Sequence, residues 1–136
     1  MKDIYYFFIG MIFLLTSCKE TTTNTTEVHD NLNAPVTANV TNSFTYTINA
    51  KQFSINSTNE LNFISDSLVI ALSATLFSAG QAIVVVSDSA NKIVFSDTVK
   101  SDKTIAIAHL KSTTPKHCSI EITNLTAQFT FALVGQ

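Results

Sequence analysis

The sequence predicts an all-β domain, a single antiparallel β-sandwich of seven or eight strands. Two observations predict it. From Ser43 onward apolar side chains recur every second residue, the period of a half-buried strand. Turn-forming clusters of Ser, Asp, Asn and Gly break that pattern at spacings of roughly 8–12 residues. A third bounds it: 46% of the 136 residues are hydrophobic and 13% charged, enough apolar material for one core.

The elements follow in order. Phe44, Tyr46 and Ile48 share one face, with Ser43, Thr45, Thr47 and Asn49 on the other. A turn is expected at Asn49–Gln52, after which Phe53 and Ile55 continue the apolar face. Asn56–Glu60 reads as loop, Leu61 and Phe63 as a short strand, and Ser65-Asp66-Ser67 as a turn. Leu68–Phe77 fits two periods. Leu68, Leu72, Thr75, Leu76 and Ala79 would line a helix capped by Ser67 and stopped by Gly80. Leu68, Ile70, Leu72, Ala74 and Leu76 would line a strand, and strand is the better reading, because Ser78-Ala79-Gly80 can turn it into the next one. In Gln81–Ser87, Ile83 to Val86 are apolar on both faces, which predicts a central strand. Asp88–Asn91 is a tight turn, with Asn91 suited to a left-handed conformation. Strands return at Ile93–Phe95, Thr104–Leu110, Cys118–Thr123 and Ala127–Val134. In the last, Phe129, Phe131 and Leu133 point inward. This succession fits an immunoglobulin-like or jelly-roll-like sandwich. Gly80–Val99 resembles the strand–turn–strand unit of small exported bacterial sandwich modules, a likeness that implies no activity.

The chain before Ser43 is of another kind. Ile4–Leu15, IYYFFIGMIFLL, is an apolar run too short to cross a membrane, which takes about 20 residues, but of the length of a signal-peptide core. Leu15-Thr16-Ser17-Cys18 follows it. That tetrapeptide resembles the lipobox of bacterial lipoproteins: Leu, a small or medium residue, a small residue, then Cys. The resemblance implies cleavage of residues 1–17 and lipidation of Cys18, with palmitate among the acyl chains. It also implies a bacterial envelope location. Lys19, rather than Asp, after the cysteine points to the outer membrane, and Lys19-Glu20 resembles weakly the charged signals of surface-exposed lipoproteins. Residues 18–42 would then be the lipidated cysteine and a Thr/Asn-rich disordered tether, since KETTTNTTEVHDNLNAPVTANVTN holds few large apolar side chains. Residues 43–136 would be the sandwich. With lipid on Cys18, Cys118 is left as a lone packed thiol and no disulfide is expected.

Chemistry is sparse. The net charge is −2 and the eight lysines form no block, so no nucleic-acid partner is expected. His109 shares the parity of Ile105 and Ile107 and is expected inward. His117 is expected outward with Ser119 and Glu121, opposite in sense to Cys118. Ligands split over two faces cannot share one metal unless a bulge intervenes, and a Cys118–His109 nucleophile pair would sit at the core edge with no third group to orient it. Asp66, Asp88, Asp97 and Asp102 read as turn and strand-end residues that cap by side-chain hydrogen bonds. Glycines at 10, 80 and 135 make no phosphate loop, and there is no Trp to offer a saccharide platform. Accordingly no catalytic residue, metal, cofactor or small-molecule ligand is expected. Asp66-Ser67-Leu68, Asp88-Ser89-Ala90 and Asp97-Thr98-Val99 resemble the Asp–Ser/Thr–aliphatic acceptor of bacterial O-glycosylation, which would place sugars on Ser67, Ser89 and Thr98. The functional expectation is a membrane-anchored, non-enzymatic binding, adhesion or structural module with a protein partner. The alternative is an accessory or inhibitor subunit of an envelope complex, and an enzyme is the least supported.

Overall fold

A computed structural model describes residues 31–136. The expected signal peptide, the expected lipidation site at Cys18, His29 and the first half of the expected tether lie outside the described residues. The described chain is all-β: β1 (Val36–Val40), β2 (Ser43–Glu60), β3 (Ser67–Asp88), β4 (Ile93–Val99), β5 (Lys103–Lys111) and β6 (Pro115–Gly135). They form one antiparallel sheet in the order β1-β2-β6-β3, and β4 and β5 share the far edge of β3. β5 pairs with Ser67–Ala74, and β4 with Ala82–Ser87. Leu68–Phe77 is strand, with Leu68, Ile70, Leu72 and Ala74 buried as parity predicts, but Leu76 of the same set is exposed, because it sits on a bend at φ 55° where the register shifts; β3 is central.

Six strands stand where the sequence marks more segments, because β2, β3 and β6 each run through a break that reads locally as a turn. Their ladders shift register at Ala50/Phe53, at Thr75/Ala79/Gly80-Gln81 and around Asn124. Gln52, Leu76, Gly80 and Asn124 all have positive φ there. The three bends lie side by side, so the whole sheet folds over on itself along one line. The first halves of β2 and β3, the second half of β6, β1 and β5 make one layer. The remaining halves and β4 make the other. Side chains satisfy the amides that the broken ladder leaves free. Gln52 N donates to Thr126 Oγ1 (3.0 Å), Phe77 N to Asp102 Oδ1 (2.8 Å) and Asn124 N to Ser54 Oγ (2.9 Å).

The two inner faces meet in one core. Phe44, Tyr46 and Ile48, Leu68, Ile70 and Leu72, and Phe129, Phe131 and Leu133 are buried from the first layer. Val84, Val86, Cys118, Ile120 and Ile122 are buried from the second. Phe95 of β4 stacks on Phe131 of β6 across the layers, centroids 5.9 Å apart and planes 15° apart. Phe44 and Phe131 lie 6.4 Å apart within the first layer.

Four further expectations change. Asn56–Glu60 is not loop but the end of β2, paired with His117–Glu121. Leu61 and Phe63 are buried, yet belong to a connecting segment rather than a strand. The tether expected to reach Asn42 ends sooner: Val36–Val40 pairs with Ser43–Thr47 as an edge strand, its β-branched ends supplying the propensity. His109 is exposed, not inward. A register shift between Leu68/Leu110 and Ile70/Ile107 inserts a residue there, so Leu110 packs inward in its place. Asn91 does take the left-handed conformation, at φ 61°.

Candidate functional site

The fold-over gives the domain two unlike ends. The described chain enters at the end that carries the bends. There Asn33 bonds Lys51 twice, Nδ2 donating to the Lys51 carbonyl and Oδ1 accepting its amide at 2.7 Å. A shallow hollow of about 220 Å³ lies at this end, lined by Leu32, Lys51, Leu76 and Thr126 among others. At the opposite end the turns and the C-terminus gather. Asn42 ties the β1–β2 turn to Ile64 N (2.8 Å), and Gln136 N reaches the Ser67 carbonyl (2.8 Å).

That far end holds the polar candidate site, an open cleft of about 380 Å³ lined by Glu60, Leu61, Ser89, Lys116 and His117. Glu60 ends β2 directly opposite His117 on β6, and Ser87 of β3 flanks His117 on its other side. Lys116 Nζ donates to the Phe63 carbonyl at 3.0 Å, which holds its ammonium at the cleft wall. The Asn59 amide nitrogen, one residue before Glu60, is buried without a partner. The cleft thus presents a carboxylate, an ammonium, an imidazole and a hydroxyl. These can hold polar groups by reversible hydrogen bonding. Sequence reading sees His117 but not Glu60, because their meeting depends on a pairing nearly 60 residues apart along the chain, and it does not see that Lys116, beside His117 in the chain, is held at the cleft by the Phe63 carbonyl.

Beside the cleft, Asp88 is a structural residue, as its turn position predicts. Its Oδ1 accepts the amides of Ala90 (2.8 Å) and Lys92 (2.9 Å), and its Oδ2 accepts the Thr113 hydroxyl (2.8 Å). The Thr113 hydroxyl first, then the Lys92 amide, hold its carboxyl below the usual carboxylate range. A depressed folded value means stability present above the unfolded value, about 3.9, and lost as pH falls through the folded one. Asp88→Ala should therefore melt below wild type at neutral pH, with a gap that closes below about pH 4. A gap that stays constant in acid thermal melts would contradict this role.

Cys118, the free cysteine among the described residues, is fully buried. Burial pushes its thiol up to about 12. A thiol so shielded is neither nucleophile nor ligand at neutral pH. Native protein should add a thiol reagent at Cys118 slowly and denatured protein at once. The raised value contributes stability in full below the unfolded pKa, about 8.5, and loses it as pH climbs towards the folded value. Cys118→Val should flatten that alkaline loss. Rapid labelling of the native thiol would refute the assignment. Among the described residues no three His, Cys, Asp or Glu side chains gather to hold a metal. Of the three acceptor-like positions, Ser89 and Thr98 are exposed and Ser67 is half-buried at the start of β3.

The outer face of the first layer is unusual in composition. Across the strands runs a rank of Thr104, Ser73, Thr130 and Thr47, ending at Val36. The Thr47 and Thr130 hydroxyls lie 3.3 Å apart. The next rank is Ala106, Ala71, Ala132, Thr45 and Ala38. The third is Val69, Val134, Ser43 and Val40. From β1 to β3 these ranks contain no charged side chain, and His109 and Lys111 stand only at the β5 corner.

No family model matches the chain, and no curated protein matches it. Among solved structures, TmCBM61 in complex with beta-1,4-galactotriose is similar at 12% sequence identity. That likeness covers 75% of this chain and 70% of that one, at a TM-score of 0.33. A likeness at that level carries nothing about what this chain binds.

Proposed function

We propose that this protein is a lipid-anchored envelope lipoprotein that acts as a non-enzymatic binding module and presents the polar cleft away from the membrane. The observation that carries the reading is the separation of the two ends. Asn33, the last link to the amino-terminal segment, is fixed at the bend end beside Lys51, and Glu60, His117 and Lys116 lie at the other. With lipid on Cys18, the chain up to Leu32 becomes the leash and the cleft faces outward. An outer-membrane and surface location fits Lys19 after the cysteine. A binding role fits an open cleft whose side chains offer both donors and acceptors. A stable protein occupant fits better than a small ligand, since the cleft is shallow and open.

The test is site-specific photocrosslinking on intact cells. A photoreactive residue at Ser89 should give products of discrete mass, and one at Ser78, at the bend end, should give none. Products at Ser78 alone would contradict the orientation, and none at either position would contradict a stable partner.

A further inference from the structure

We infer that the uncharged outer face of the first layer is the contact surface of a symmetric, face-to-face homodimer. Three features of the face carry this.

The first is its chemistry. Sheet faces turned to water are ordinarily kept apart by charged side chains. Here β1, β2, β6 and β3 together offer small aliphatic and hydroxyl groups and, on the rank of Asn49, Gln128 and Thr75 next to the bend, two uncharged amides. Val40 and Val134 are 61% and 42% exposed on the same rank. On the middle rank four of the five residues are alanine and Thr45 is the largest, so the face stays low there and a second sheet can approach closely.

The second is its size. Five strands about 4.8 Å apart, over six or seven residues of about 3.4 Å, project roughly 550 Å² per copy. Two copies bury about 1,100 Å² or more, above the roughly 1,000 Å² that a specific interface needs.

The third is its pattern. β6 is the middle strand of the layer, and Ala132 stands on the middle rank. A two-fold axis running along β6 through Ala132 keeps every rank at its own height. On the axis Thr130, Ala132 and Val134 then each meet their own copy, and beside it Thr47 meets Ser73, Thr45 meets Ala71 and Ser43 meets Val69, so small uncharged groups face one another throughout. This axis also leaves both amino-terminal entries at the same end, so two copies held in one membrane can pair. That choice of axis rests on the anchored reading above, and confinement to one surface raises the effective concentration of the second copy. The alternative in-plane axis, across the strands, would set the hydroxyl rank against the valine rank and leave hydroxyls without partners.

The experiment uses the full chain in cells with Ala132→Cys and a short, permeant bismaleimide. A cross-linked species of twice the monomer mass is expected, with none from Ser119→Cys on the outer face of the other layer. Thr45→Glu, added to Ala132→Cys, should abolish the dimer band, because Thr45 of one copy faces Ala71 of the other and would bury an unpaired charge. Ala71→Lys in the same chain should restore it by supplying the opposite charge. Native folding of every variant is read from Cys118, which stays unlabelled in the folded domain. No dimer above the Ser119→Cys level would overturn the inference. So would a dimer indifferent to Thr45→Glu, or a product containing a different protein only. Palmitate labelling of the same cells reports separately on the anchor, so loss of the dimer and loss of the lipid are told apart.

Discussion

Replacing Phe131 by alanine is expected to destabilise the domain by about 3–5 kcal/mol, the usual cost of truncating a fully buried phenylalanine. Phe131 is 0% exposed and sits where the two layers meet. It stacks on Phe95 from the opposite layer and touches Phe44 from the neighbouring strand. Its loss opens a cavity that the surrounding strands cannot close without moving both layers. Thr130→Ala, one residue earlier on the outer face, removes one hydroxyl contact of 3.3 Å and should cost roughly 0.5 kcal/mol. Denaturant melts of the two variants give the comparison. Equal losses would mean that the register of β6 is wrong, and with it the inward placing of Phe129 and Leu133.

Gly80→Ala is expected to be as damaging, for a backbone reason. Gly80 lies on the bend of β3 at φ 83°, where a side chain is strained whatever the space. There is also no space. A Cβ at this position would run into the backbone carbonyl of Asn124 on the neighbouring bend of β6. Neither group is a flexible side-chain tip, so the two bends would have to separate. That would disturb the fold-over line shared by β2, β3 and β6. Overpacking of 1–3 kcal/mol and a left-handed penalty of about 1–2 kcal/mol together predict a loss of roughly 3 kcal/mol or more. Ser78→Ala, exposed on the same bend, should be near neutral. A Gly80→Ala variant as stable as wild type would show that the bends are not in close contact.

How much of this is legible in the sequence differs by element. Strand parity placed Phe44, Tyr46, Leu68, Leu72, Phe129 and Phe131 in the core, because a period of two leaves each residue only one face. The continuity of the three long strands was not legible. Ser78-Ala79-Gly80 carries the chemistry of a turn, and only the pairing of Ala79 with Thr126 and of Gln81 with Thr123 makes it a bend. β1 was hidden for a similar reason. VTANV, between Pro35 and Thr41, has the composition of the preceding tether, and becomes a strand because the edge of β2 is there to pair with it. Parity misplaces His109 because a one-residue register shift reverses it, and nothing in KTIAIAHLK marks where that shift falls. The cleft is half legible: parity places His117 outward, but Glu60 joins it through long-range pairing, and Lys116 is held at the wall by the distant Phe63 carbonyl. The outer-face ranks were in plain view as Thr, Ser and Ala at alternate positions. Their alignment across five strands needed the register.

The central claim is that this sandwich hangs from a lipid on Cys18, and metabolic labelling with an alkyne palmitate analogue tests it most directly. Two or three acyl chains, at about 0.8 kcal/mol per buried CH₂, hold a protein firmly to a bilayer. Wild-type protein should take up the label and remain with the membrane fraction. Cys18→Ala should take up none, and should persist as the precursor or leave the membrane. Unlabelled wild-type protein, or label that survives Cys18→Ala, would contradict the account.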